Sequence, residues 1–152
     1  MSVAFRRDSD EEHLEPKFEI PIPPGPNLVT LRGLASIRSK VSEGEAALPG
    51  ITDEVQLAAA KRDLRYWRTR QATAQLAPSP SGKSVEFGSR VTFLLKGKRR
   101  TIPIVGDDEA DPKADLIAFT APLAKAMMQA EPGEVLPFGG EADAIEILEI
   151  AI

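Results

Sequence analysis

Residues 104–129 constrain the fold most, because they place two short apolar segments on either side of an acidic turn and lead straight into a helix. The first apolar segment ends at Gly106, and the second runs from Leu116 to Phe119. A helix is predicted to begin at Pro122, because proline has no N–H to lose in a first helical turn, and to end at Pro132-Gly133. Its apolar face follows the i, i+3, i+4, i+7 spacing: Leu123, Ala126, Met127 and Ala130. This order of strand, turn, strand and helix predicts an α+β fold.

Alternating segments on both sides of this stretch predict the rest of a small sheet. Apolar residues alternate from Val91 to Leu95, before a hairpin turn at Lys96-Gly97-Lys98, and the chain returns through residues 101–105. Gly139-Gly140 predicts a second turn, into a closing strand that starts at Ala144. We therefore expect an antiparallel sheet covered by one helix.

Residues 30–76 carry the spacing of two amphipathic helices separated by a tight turn. Thr30 is a candidate N-cap, Pro49-Gly50 ends the first helix, and the second begins at Thr52 or Asp53. The first apolar face consists of Leu31, Leu34, Ile37 and Val41. The second follows a heptad seam of Leu57, Ala60, Leu64, Trp67, Gln71 and Ala74. Two facing seams joined by a tight turn predict an antiparallel helical hairpin, a short coiled coil.

The remaining segments are expected to connect these parts. Residues 1–29 are acidic and rich in proline, which disfavours helix and predicts an extended arm. Residues 77–84 contain two prolines and a glycine and predict a linker. The predicted organisation is an arm (1–29), a helical hairpin (30–76), a linker (77–84) and an α+β domain (85–152).

The composition excludes several kinds of site. The chain has no cysteine, and its one histidine, His13, sits in an acidic run where we expect it to be solvated. We therefore expect no disulfide, no histidine-dependent triad and no metal of the protein's own. No apolar run reaches the roughly 18 residues of a membrane span, and Arg6 and Arg7 are not followed by the apolar core of a signal peptide. These features predict a soluble, cytoplasmic protein without a membrane partner, and we separately expect it to be a monomer.

The acidic turn after Gly106 invites comparison with a calcium site. It contains four acids: Asp107, Asp108, Glu109 and Asp111. It lacks the alternating Asp-x-Asp-x-Asp-Gly spacing and the distant glutamate of a calcium loop. We interpret these acids as caps of turns that also keep the loop solvated.

The second predicted helix carries a basic face that suits an anionic partner. Arg62, Arg65 and Arg68 are three residues apart and share a side away from the seam. Lys61 lies beside them, and Asp63 is the only nearby acid in the helix, so internal salt bridges do not explain the run. This face suits the phosphates of RNA or DNA. A solvated helical surface is the alternative.

The central stretch also carries a resemblance to a known family. Residues 104–112 read Ile-Val-Gly-Asp-Asp-Glu-Ala-Asp-Pro, and a strand and a Pro-Leu-Ala helix start follow them. Val85-Glu-Phe-Gly-Ser lies upstream, and Ile145-Glu-Ile-Leu-Glu-Ile lies downstream. Together they closely resemble the C-terminal domain of the GreA/GreB family of bacterial transcription elongation factors. The resemblance implies an FKBP-like domain that binds bacterial RNA polymerase around the helix start: Ala121, Pro122 and Leu123.

The resemblance also implies a role for the hairpin. In the family, its basic patch faces the transcript in the polymerase secondary channel, and two acids at its tip help hold a second Mg²⁺ in the polymerase active centre. Aligned with the family, those acids fall on Leu48 and Ile51, which have no carboxylate. Asp53 and Glu54 lie nearby and are the candidate catalytic acids, although they equally suit the first turn of the second helix. The first helix, roughly 28 Å long, is also shorter than its counterpart in the family.

Two functional hypotheses follow. The first is a Gre-type regulator with weak or absent stimulation of transcript cleavage, or, in its variant, a full cleavage factor that uses Asp53 and Glu54. In either form the protein is not itself an enzyme, and the Mg²⁺ belongs to the polymerase. The second, from another class, is an FKBP-like peptide-binding or prolyl-isomerase module. Six phenylalanines, one tyrosine and one tryptophan leave little to line an aromatic pocket, which disfavours it.

Overall fold

The computed structural model of the protein describes residues 19–152. They form two compact units. One, here called the hairpin unit, contains residues 19–24 and Ile37–Thr73, and the other, the sheet unit, contains Gly25–Ser36 and Ala74–Ile152. Most of the predicted arm, residues 1–18, lies outside the described residues.

The predicted helical hairpin is confirmed. Helix α1 spans Leu31–Ala47, a short 3-10 helix spans Leu48–Gly50, and helix α2 spans Glu54–Thr73. The Oγ1 of Thr30 accepts a hydrogen bond from the N–H of Gly33 at 2.9 Å, so Thr30 is the N-cap of α1, as expected. None of the helices within residues 19–152 is long and apolar enough to cross a membrane.

Within the hairpin unit, α1 and α2 pack through a narrow apolar seam. Ile37, Val41 and Leu64 are buried. A Cβ atom on Gly44 would lie 3.1 Å from Cδ1 of Leu64, so this glycine lets the two helices approach closely. The amine of Lys40 lies 5.9 Å from the ring centroid of Trp67, which adds a cation–π contact.

The prediction of which residues are buried is wrong at the ends of the seam. Leu31 is 73% exposed, because at about 100° per residue it lies about 120° around α1 from Ile37. Gln71 is exposed, and Arg70 is the residue buried in the last turn of α2. Helical periodicity identifies the middle of the seam but not which residues are covered where the helices end.

Two sheets belong to the sheet unit. In the first, β1 (Leu28–Val29) and β2 (Gln75–Leu76) pair in parallel, with Leu28 opposite Gln75. The second has the order β5-β4-β3-β7-β6. Its strands are β3 (Arg90–Leu95), β4 (Lys98–Val105), β5 (Ile117–Ala118), β6 (Val135–Phe138) and β7 (Glu141–Ala151). The predicted turn between β3 and β4 is confirmed, with φ of 51° at Lys96 and 85° at Gly97, as a two-residue hairpin turn requires.

This second sheet is mixed, whereas the sequence predicted an antiparallel one. Strand β5 pairs in parallel with β4, with Ile104 opposite Ile117. The chain reverses after Gly106, where the N–H of Ala110 donates to the Gly106 carbonyl. It reverses again between Asp111 and Leu116, which form an antiparallel bridge. Two reversals restore the direction of β4, so β5 runs parallel to it.

Helix α3 spans Pro122–Met127 and begins at the predicted proline. It ends before Pro132-Gly133, because Gln129 has φ of 69° and its N–H donates to the carbonyl of Val85 at 2.8 Å. The last predicted turn of the helix is thus replaced by pairing with the segment before β3. The core of the unit contains Val85, Val91, Phe93, Ile102, Ile104, Ala124, Met127, Ala130, Ala144, Ile145 and Ile147.

Candidate functional site

The turn between α1 and α2 exposes no carboxylate at its centre. The 3-10 helix Leu48–Gly50 closes with a hydrogen bond from the N–H of Ile51 to the carbonyl of Leu48 at 3.1 Å. The side chains of Leu48 and Ile51 are half-buried. Residues Leu48–Ile51, here called the tip turn, therefore offer apolar groups where a metal-binding tip would need oxygen ligands.

The two candidate acids lie at the start of α2. The Oδ2 of Asp53 accepts a hydrogen bond from the N–H of Gln56 at 2.9 Å, so Asp53 is the N-cap of the helix. Glu54 is the first residue of α2 and is exposed. Within residues 19–152 there is no group of three or more acidic or histidine side chains arranged to hold a metal ion.

The basic face of α2, defined by Lys61, Arg62, Arg65 and Arg68, is paired with acids from other segments. The Nε of Arg65 donates to Oε1 of Glu19 at 2.9 Å, and its Nη2 donates to the second oxygen of the same carboxylate. The Nη2 of Arg68 donates to Oε2 of Glu45 on α1 at 2.9 Å. Asp63 is thus not the only acid that offsets the positive charge of this face, because Glu19 and Glu45 do so from outside α2. Both are distant from these arginines in sequence, so the pattern within the helix did not indicate them.

Arg62 is bound less tightly than the other two arginines. Its Nε lies 3.8 Å from Oδ1 of Asp63, beyond hydrogen-bonding distance. The atom is buried and makes no hydrogen bond within the described part of the chain. Arg62 and Arg65 line one cleft with Glu19 and Glu54.

The pairing with Arg65 changes the acidity of Glu19. The hydrogen bonds from Arg65 hold the pKa of this carboxyl below its ordinary value. Desolvation opposes this shift, and the charges of Arg65 and Arg62 add to it. Glu19 is therefore a carboxylate at neutral pH.

The predicted polymerase-binding residues lie at the start of α3. Ala121 precedes the helix and has no side-chain cap, Pro122 is exposed, and Leu123 is half-buried. Ala121 and Leu123 line a shallow groove of about 320 Å³ with apolar residues of the β5 segment, among them Ile117. The ion pair between Arg100 and Asp115, at 3.6 Å, involves two further residues of this groove. The structure thus brings two of the three residues together on one partly apolar surface.

One acid of the central loop caps a turn, as predicted, and two others accept hydrogen bonds from hydroxyl groups elsewhere in the sheet unit. Asp111 accepts a hydrogen bond from the N–H of Lys113 at 3.0 Å, and Asp107 accepts one from the hydroxyl of Thr120. Glu109 accepts a hydrogen bond from the hydroxyl of Thr30 at 2.6 Å, so it holds the residue that caps α1. No local pattern could have revealed this last pair, because 79 residues separate its members.

Comparison with known proteins identifies the C-terminal part of the chain. Residues 79–152 match the family model described as transcription elongation factor, GreA/GreB, C-terminal. This region belongs to the GreA/GreB family. It is 35% identical over 75 residues to transcription elongation factor GreA of Rhizobium leguminosarum bv. viciae, covering 47% of this chain and 48% of that protein. The GreA of Caulobacter vibrioides is 39% identical over 74 residues, covering 46% and 47%. The match thus spans about half the length of these curated relatives.

Solved structures of the same kind are also similar to this chain. GreA factor homolog 1 of Thermus thermophilus aligns with 84% of this chain and 100% of its own, with 19% identity and a TM-score of 0.40. A GreA/GreB elongation factor from Nitrosomonas europaea aligns with 85% and 100%, with 15% identity and a TM-score of 0.40.

The GreA/GreB match divides the candidate residues into two groups. Ala121, Pro122 and Leu123 lie within the matched residues. The tip turn, Asp53, Glu54 and the basic face precede them. The family assignment therefore rests on the region with the groove, and the chemistry of the hairpin rests on its own geometry.

Proposed function

We propose that this protein is a Gre-type regulator of transcription elongation that binds bacterial RNA polymerase and stimulates transcript cleavage weakly or not at all. Its FKBP-like C-terminal region binds the polymerase through Ala121, Pro122 and Leu123, and its helical hairpin enters the secondary channel. The basic face of α2 contacts phosphates of the transcript or of DNA. The protein acts as a monomer without a cofactor of its own.

The observation that carries this proposal is the chemistry of the tip turn. A second Mg²⁺ at a phosphoryl-transfer site needs oxygen ligands at about 2.1 Å in near-octahedral geometry, so the position of each ligand has little slack. Leu48, Pro49, Gly50 and Ile51 offer no carboxylate. A hairpin of this kind can occupy the channel without completing the metal site.

Asp53 and Glu54 fit the role of metal ligands poorly. Asp53 already uses its carboxylate to cap α2. Adjacent residues at a helix start point about 100° apart, so the two acids do not converge on one ion. With 17 residues, α1 is roughly 25 Å long, which limits the reach of its tip.

Transcript cleavage in stalled elongation complexes tests the proposal. We expect little cleavage with this protein alone, and reduced cleavage when it is added together with a cleavage-proficient Gre factor, because both compete for one channel. Absence of competition at concentrations where polymerase binding is saturated would contradict occupation of the channel.

Conservative variants distinguish the full cleavage factor from the regulator. Asp53→Asn keeps a good N-cap and removes the charge, and Glu54→Gln removes the neighbouring charge. Strong cleavage by the unmodified protein that either substitution abolishes would overturn the proposal and make these acids the catalytic pair.

A further inference from the structure

The N-terminal segment places a carboxylate on the centre of the basic face. Glu19 contacts Arg65 through both of its oxygens, and Arg65 lies between Arg62 and Arg68 in the row of three. The segment continues along the same surface, because Ile20 and Ile22 line a second cleft with residues of α2 that include Arg68. An acidic side chain from outside the helical hairpin thus occupies the position where an anionic partner would bind.

The contact has the geometry by which arginine recognises phosphate. A planar guanidinium donates two parallel hydrogen bonds equally well to a carboxylate or to two oxygens of a phosphate. Arg62 lines the same cleft, and its Nε is buried and makes no hydrogen bond among the described residues. A phosphodiester that displaced Glu19 would satisfy Arg65 and offer an acceptor to Arg62.

Another anion can replace Glu19 at Arg65, because their ion pair is exposed. The side chains of Arg65 and Glu19 are 50% and 45% exposed. Exposed ion pairs contribute little free energy and weaken with salt. Because Glu19 is tethered to the same chain as Arg65, its effective concentration at this site is raised without any gain in intrinsic affinity.

We propose that Glu19 competes within the chain for the phosphate site on Arg65, so that nucleic acid binds the basic face only by displacing this carboxylate. This inference rests on the proposed nucleic-acid contact and states how that contact is regulated. Binding is then weaker than the arginines alone would give. It becomes stronger under any condition that removes the carboxylate from Arg65.

Fluorescence anisotropy with a fluorescein-labelled oligouridylate and the full chain tests the inference. Glu19→Gln keeps the size of the side chain and removes the charge, so we expect it to tighten binding roughly two- to fivefold, the range that exposed ion pairs support. Glu43→Gln, which makes the same charge change at an exposed position of α1, is the matched control. An oligothymidylate of the same length, measured in parallel, distinguishes RNA from DNA as the source of the phosphate.

Salt dependence gives a second readout. Salt weakens both the internal pair and the binding of nucleic acid, so the two effects partly cancel in the unmodified protein. We expect a steeper loss of affinity with KCl for Glu19→Gln, and the two proteins should converge at high salt.

The triple substitution of Arg62, Arg65 and Arg68 by Ala distinguishes a failure of the proposed competition from a failure of the proposed nucleic-acid contact. If it weakens binding while Glu19→Gln behaves like Glu43→Gln, the competition is overturned and the nucleic-acid contact stands. If it leaves the affinity and its salt dependence unchanged, the nucleic-acid contact itself is overturned, and the competition with it.

Discussion

The acids of the sheet unit and those of the hairpin unit are held by different kinds of partner. Asp107, Glu109 and Asp111 each accept a hydrogen bond from a hydroxyl or a backbone N–H. Glu19 and Glu45 pair with exposed arginines of α2. A backbone or hydroxyl partner is fixed by the fold, whereas an exposed arginine can accept another anion in its place. The first arrangement maintains a shape, and the second leaves a surface open to competition.

The largest effect should come from the core of the sheet unit. Phe93 is fully buried in β3, so Phe93→Ala should lower the free energy of unfolding by about 3–5 kcal/mol. Leu31→Ala, at a position that is 73% exposed, should change it by less than about 0.5 kcal/mol. Urea denaturation followed by circular dichroism measures both. Equal midpoints for the two variants would contradict the packing described for β3.

A pair of glycines sharpens the comparison between the two units. A Cβ atom on Gly106 would lie 2.4 Å from the backbone oxygen of Leu28, and a backbone atom cannot move aside as a side-chain end can. We expect Gly106→Ala to destabilise the sheet unit by about 1–3 kcal/mol. Gly50, in the tip turn, has no atom within 4 Å of such a Cβ, so Gly50→Ala should be close to neutral.

Thermal unfolding of the two glycine variants side by side measures this difference. A loss of stability in Gly50→Ala as large as that in Gly106→Ala would mean that the tip turn is as tightly constrained as the loop of the sheet unit.

The smallest effect concerns the acidity of Glu19. Because Arg65 lowers its pKa, the ion pair is fully present above the ordinary glutamate pKa and is lost as the pH falls through the lowered value. The charged groups that line the clefts around Glu19 are Glu54, Arg62, Arg65 and Arg68. An NMR titration of the Glu19 carboxyl carbon should give a midpoint below the ordinary range of a glutamate.

Two variants test whether Arg65 is the residue that lowers the pKa of Glu19. Arg65→Gln should return the midpoint to the ordinary range, whereas Lys61→Gln, which removes the same charge from a neighbouring position of α2, should move it less. A midpoint in the ordinary range in the unmodified protein would mean that the ion pair between Glu19 and Arg65 does not form in solution.

Patterns confined to a few neighbouring residues predicted much of the fold. The turn at Lys96-Gly97 follows from residue type, since glycine tolerates positive φ. The cap at Thr30 and the start of α3 at Pro122 follow from the chemistry of helix ends. In each case the residues that determine the structure lie within one turn of the chain.

The missed features join distant residues. Strands β1 and β2 contain two residues each, too few to show a period, and Leu28 finds its partner only at Gln75. The direction of β5 depends on two reversals inside one loop. In the candidate site, the residue types indicated both a basic face and the capping role of Asp53, but the pair of Glu19 with Arg65 spans 46 residues and has no local signal.

The parallel pairing of β1 with β2 affects the order in which the sheet unit is synthesised and the freedom of the hairpin to change its length. The chain leaves the sheet unit after Ser36 and returns at Ala74, so the unit is interrupted in sequence, and β1 is synthesised long before its partner strand. A fragment that starts after the hairpin would lack Leu28, whose carbonyl packs against Gly106. Residues can be added to or removed from both helices in matched numbers while Leu28 and Gln75 stay paired. The length of the hairpin is therefore a trait that evolution can change without rebuilding the sheet.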